Sequence, residues 1–80
     1  MKVQEFLKLN GERKTAEKLV NMRVQFVMGL SMEDLPDSTQ LWDIVESIEE
    51  ELKEGEDTDY NKVKDLLKEI TFEFIEEICW

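Results

Sequence analysis

Residues 37–55 read DSTQLWDIVESIEEELKEG, and this stretch decides the fold. At 100° per residue, Leu41, Ile44, Val45, Ile48 and Leu52 fall within one arc of roughly 100°. Such a stripe is the signature of a helix burying one face. Asp37 followed by Gln40 approximates a capping box, Pro36 stops the preceding turn, and Gly55 ends the element. The opposite face is as regular as the apolar one: Asp43, Glu46, Glu50 and Glu54 share an arc of roughly 80°.

The flanking segments supply what this helix packs against. Downstream, a second helix is expected from about Asp57 or Thr58 to the C-terminus, with Tyr60, Val63, Leu66, Leu67, Ile70, Phe74 and Ile78 as its stripe. Upstream, a helix is expected from Thr15, as N-cap, to Met28. Ala16, Leu19, Val20, Val24, Phe26, Val27 and Leu30 cover well over half its circumference, so it reads as the most buried element. Arg23 falls inside that apolar arc, as a buried charge that must find a carboxylate or snorkel to water. A strand over residues 22–28, alternating Met22, Val24, Phe26 and Met28, is the rival pattern. Residues 2–9 fit a short helix capped near Gly11 or a short strand. The expected fold is all-α: a small three- to four-helix bundle, with a short N-terminal helix or strand and three longer helices, forming one domain over residues 1–80.

Composition narrows the function. The chain has 80 residues, 20 acidic against 10 basic, no His and one Cys, with a net charge of -10. That charge repels phosphate backbones and argues against direct nucleic-acid binding. Lack of His removes the commonest general base and zinc ligand. A single Cys leaves only an interchain disulfide. No apolar run is long enough to span a bilayer, the opening MKVQEFLKLNGERK does not read as a secretory signal, and a cytoplasmic location is expected. No enzyme, cofactor or metal is expected. Charge is also segregated. Residues 1–30 hold six basic and three acidic groups, whereas residues 31–80 hold four basic and seventeen acidic. The two halves should attract each other.

Two motifs fail on their own residues. Asp57, Asp59 and Asn61 match the opening ligands of an EF-hand loop, but Lys62 and Lys68 stand where Gly and Glu are required. Residues 29–48 resemble a helix-turn-helix in outline, yet the reading helix would carry Asp37, Asp43 and Glu46 with no cation to meet phosphate.

The functional expectation therefore rests on surfaces. Carboxylates at i, i+3 and i+4 stand about 5–6 Å apart, close to the spacing of successive phosphates on a nucleic-acid strand. Asp43, Glu46, Glu50 and Glu54, with Trp42 on their flank as an aromatic anchor, point to docking on a basic partner protein. The protein is read as an acidic regulator or inhibitor, a nucleic-acid mimic when that partner handles nucleic acid. The alternative is a structural subunit. Phe72, Ile75 and Cys79 form a second stripe on the last helix, a face suited to a homodimer or a helical assembly.

Overall fold

The computed structural model describes residues 3–79 and contains helices and no strand among them. Helix α1 is Val3–Met28, α2 is Thr39–Leu52, α3 is Tyr60–Lys68 and α4 is Phe72–Cys79. Single 3-10 turns at Met32–Asp34 and Gly55–Asp57 join α1 to α2 and α2 to α3. The all-α bundle is as expected, and residues 3–9 and 22–28 are helical rather than extended.

The α2 stripe holds in full: Leu41, Ile44, Val45, Ile48 and Leu52 are all buried. They face Ala16, Val20 and Val24 of α1, Val63 of α3, and Ile75 and Cys79 of α4 in one apolar cluster. The start of α2 lies slightly later than the capping-box pattern suggests. Ser38 is the N-cap residue and makes no side-chain cap bond. Asp37 does that work instead, accepting from the Thr39 N–H at 3.0 Å. This bond holds the Asp37 carboxyl below its ordinary pKa, because it stabilises the charged form.

Helix α1 departs from expectation in two respects. Thr15 is not an N-cap, because the helix continues through it and its hydroxyl donates to the Gly11 carbonyl at 2.8 Å. The real discontinuity is Gly11, at φ 84° and ψ 172°, a conformation open essentially to glycine alone. Lys18 lies 5.2 Å from the centre of the Phe6 ring. In a straight helix twelve residues rise about 18 Å, so the stretch before Gly11 is bent back towards the bundle. Nor is α1 the most buried helix. Its buried residues are Thr15, Ala16, Val20 and Val24, while Phe26 is 82% exposed. Phe26 stands about 120° from the centre of the Ala16–Val20–Val24 line. A helix flanked by neighbours on one side cannot cover so wide an arc.

The largest correction concerns the C-terminal third. The expected single helix is two, broken between Lys68 and Phe72. The Ile70 N–H turns back to the Leu67 carbonyl at 3.1 Å. Thr71 then starts α4, its Oγ1 accepting from the Phe74 N–H at 3.1 Å. The Ile70 carbonyl, freed from the helical ladder, accepts from Arg23 Nε at 2.9 Å. Arg23 is thus half-buried and satisfied by backbone; among the described residues no carboxylate pairs with it. The break rotates the buried face by roughly 150° relative to a continuous helix. Ile75 and Cys79 therefore enter the core, Phe74 is half-buried, and Ile78 is exposed. The Asp37 N–H donates to the Cys79 carbonyl at 3.1 Å, tying the end of α4 to the start of α2.

The α2–α3 turn hangs on a residue that periodicity does not flag. Thr58 is buried, and its hydroxyl lies 2.7 Å from the Gly55 carbonyl and 3.2 Å from that of Glu51. The Glu51 carboxylate accepts from the Asp59 N–H at 3.0 Å, and Asp59 in turn caps α3 through the Asn61 N–H. Thr58→Val keeps the shape and removes the hydroxyl's bonds, while the Thr58 and Glu54 N–H groups still donate to the two carbonyls at 3.2 Å. It should lower the unfolding free energy by about 0.5–1.5 kcal/mol, read from urea melts followed by circular dichroism. An unchanged midpoint would remove the hydroxyl's assigned role.

Candidate interaction surface

Helix α2 sets the geometry of the acidic side chains. Because its stripe is buried on all sides by α1, α3 and α4, the opposite arc has to face water. Asp43, Glu46, Glu50 and Glu54 are all exposed. Glu54 lies just past Leu52, but its backbone stays in the right-handed helical region at φ -67° and ψ -9°, so it continues the row. Glu50 is paired with Lys53 at 3.3 Å. For Asp43, Glu46 and Glu54 no ion pair exists among the described residues. Three of the four expected carboxylates thus stand free, and the fourth meets an exposed lysine on the same helix.

The flank of the row carries a structure of its own. Trp42 and Glu49 sit at nearly the same angle around α2, and Arg13 of α1 reaches both. Its Nη1 bonds Glu49 at 3.1 Å, its Nε bonds Glu17 at 3.3 Å, and its guanidinium lies 5.4 Å from the Trp42 ring centre. The hydrogen bond that Arg13 donates to Glu49 raises the guanidinium above its ordinary pKa, so Arg13 is a fixed positive charge. Attraction between the basic and acidic halves of the chain is realised here as one ion pair across 36 positions of sequence. Arg13 neutralises Glu49, not the ridge beside it. The sequence pattern did not single out Arg13 or Glu49. Their pairing is tertiary, and only the angular coincidence of Glu49 with Trp42 could have hinted at it.

Trp42 is 38% exposed. It lines, with Phe6, Lys14, Lys18 and Met32, an open cavity of about 370 Å³ between the bent N-terminal stretch and α2. Arg13 lies over the indole ring, and on α2 Trp42 stands beside the acidic row.

The second expected surface does not form as expected. Ile75 and Cys79 are fully buried, and only Phe72 of the three is exposed. The break at Thr71 is the cause, since it turns that stripe inward. Phe6 and Leu9 do not cover it either; Leu9 points to solvent and Phe6 lies against Lys18. Among the described residues no group of three potential ligands could hold a metal, and no helix is long and apolar enough to cross a membrane.

Burial raises the Cys79 thiol above its ordinary pKa, and the nearby Asp37 carboxylate adds to the effect. The thiolate is the reactive form. Cys79 in the native protein should therefore react with a disulfide reagent at pH 8 at least tenfold more slowly than in urea, and no interchain disulfide should accumulate in air. Equal rates would place the thiol at the surface and restore it as a bridging group. No family model, no curated protein and no solved structure matches this chain.

Proposed function

We propose that the protein is a non-enzymatic interaction protein whose α2 acidic face docks on a basic surface of a partner, acting there as a regulator or inhibitor. The observation that carries this reading is the row of Asp43, Glu46 and Glu54, exposed and forming no ion pair among the described residues, beside the part-exposed Trp42. Like charges at this spacing cost a few tenths of a kcal/mol per pair in an isolated helix. The fold leaves that cost uncompensated along most of the row, and a basic partner removes it. The spacing suits a groove that otherwise holds a phosphate backbone, so the favoured partner is a nucleic-acid-handling protein. Trp42 supplies apolar contact area at the edge of the charged row, where aromatic anchors concentrate binding energy.

The structural-subunit alternative loses support, because two of its three face residues lie in the core. The absence of His and the open, shallow character of the surface favour binding over chemistry.

Charge-dominated association is fast and salt-sensitive. Immobilised protein should retain basic nucleic-acid-binding proteins from host lysate at about 50 mM salt, release them by about 500 mM, and release them equally to a duplex DNA competitor. The triple variant D43N/E46Q/E54Q should bind the same proteins about tenfold more weakly, with its helix content unchanged. Retention that ignores salt, competitor and variant would end the proposal.

A further inference from the structure

A second surface has the opposite character. On α1, Leu19, Met22, Arg23 and Phe26 lie within an arc of about 100°, on the side turned away from Val20 and Val24. On α3, Lys64, Leu67 and Lys68 do the same. The two arcs meet in an open groove of about 320 Å³ lined by Leu19, Met22, Arg23, Lys64, Leu67 and Lys68. Met22 is 51% exposed, and Phe26 extends the apolar floor beyond the groove. Arg23 is fixed at its rim, with Nε on the Ile70 carbonyl at 2.9 Å and its guanidinium 5.7 Å from the Phe26 ring centre.

The charge around this groove is the unexpected part. The chain has twice as many acids as bases, yet among the described residues no carboxylate lines the groove. Among the described residues Arg23, Lys64 and Lys68 form no ion pair. The neighbouring Asp65 and Glu69 project about 100° round α3 from the two lysines. An apolar floor flanked by three cations complements a ligand that is apolar on one side and anionic at its edges.

We infer that this groove is a docking site for an acidic amphipathic helix of a partner protein, distinct in residues and in sign from the α2 ridge. Apolar anchors at i, i+3 and i+4 of such a helix fill the floor over Leu19, Met22 and Leu67, and its flanking carboxylates meet Lys64, Lys68 and the free Nη groups of Arg23. A short acidic segment feels chiefly the local cations. An extended anionic surface, membrane or nucleic acid, also faces the net charge of -10 and is repelled. The groove is too open to enclose most of a small ligand's surface, as small-molecule sites do.

The test uses a fluorescein-labelled peptide of about 16 residues, with Leu and Phe at helical i, i+3, i+4 and i+7 spacing and Glu at the flanking positions. Its anisotropy should rise saturably with the full-length protein. K64E/K68E should weaken binding about tenfold or more, F26S should weaken it as well, and D43N/E46Q/E54Q should not. A companion peptide with Ser in place of its Leu and Phe should not bind. K64Q/K68Q, which spares α3 a new acid at its C-terminal end, should weaken binding by a smaller factor. No saturable binding, or binding indifferent to K64E/K68E, overturns the inference. So does binding of anionic vesicles through the same lysines without binding of the peptide. Sedimentation showing wild-type self-association that K64E/K68E abolishes would also overturn it, by assigning the groove to a second copy.

Discussion

The seam between α1 and α2 constrains everything else in the molecule. Ala16, Val20 and Val24 form a line of small side chains along α1, and Leu41, Ile44, Val45, Ile48 and Leu52 close over it. Small residues let the two axes approach, and each larger side chain on α2 contributes about 1.5–3 kcal/mol on burial. Helix α2 is also the element on which α3 and α4 rest. With its apolar arc buried on three neighbours, its rotation about its own axis is fixed. Asp43, Glu46 and Glu54 cannot turn inward without taking Ile44, Val45 and Ile48 out. The exposed acidic row is thus the same fact as the buried stripe, seen from the other side.

This coupling explains what the sequence discloses. A narrow stripe on a helix surrounded by partners is read correctly, because its period alone decides which side is buried; all five α2 positions are core. A wide apolar arc is ambiguous, because only the neighbours determine which part is covered. On α1 the covered part is centred on Val20, so Phe26 and Met22 are left in water. Periodicity also fails across a break. The stripe from Tyr60 to Ile78 assumes one continuous phase, whereas Thr71 restarts the helix and exchanges Ile75 and Cys79 for Ile78. A threonine after Ile70 with a side-chain oxygen able to cap the next turn is a local signal for that restart. It competes with an apolar pattern that by itself reads as one helix. The pairings of Arg13 with Glu49 and of Arg23 with the Ile70 carbonyl lie 36 and 47 positions apart. No local pattern encodes such distances.

Arg23 shows how a polar residue in an apolar arc can be used. The expectation for such a guanidinium is a carboxylate partner or a reach to water, and the acid-rich half offers seventeen acids. The fold instead points its Nε at a carbonyl that the α3–α4 break has released. A charge-assisted bond to an unpaired backbone acceptor satisfies both groups, and it leaves the rest of the guanidinium at the surface. The irregularity in the C-terminal third and the irregularity in α1 are therefore one feature. The break supplies the acceptor, and the misplaced arginine fills it.

Segregation of charge follows from the same arrangement. Among the described residues, neither the cations that pair with α2 nor Lys64 and Lys68 neutralise Asp43, Glu46 or Glu54. Arg13 is held by Glu17, Glu49 and Trp42, and Lys53 by Glu49 and Glu50. Lys64 and Lys68 share one edge of α3 that turns to the α1 groove, away from the ridge. Relaxing the repulsion along α2 would need only one of them to swing across, and the rigid phase of a helix nine residues long, capped by Asp59 and packed through Val63, forbids it. Among the described residues the protein consequently carries two surfaces of opposite sign, Asp43, Glu46 and Glu54 on one and Arg23, Lys64 and Lys68 on the other, that no ion pair within the molecule neutralises.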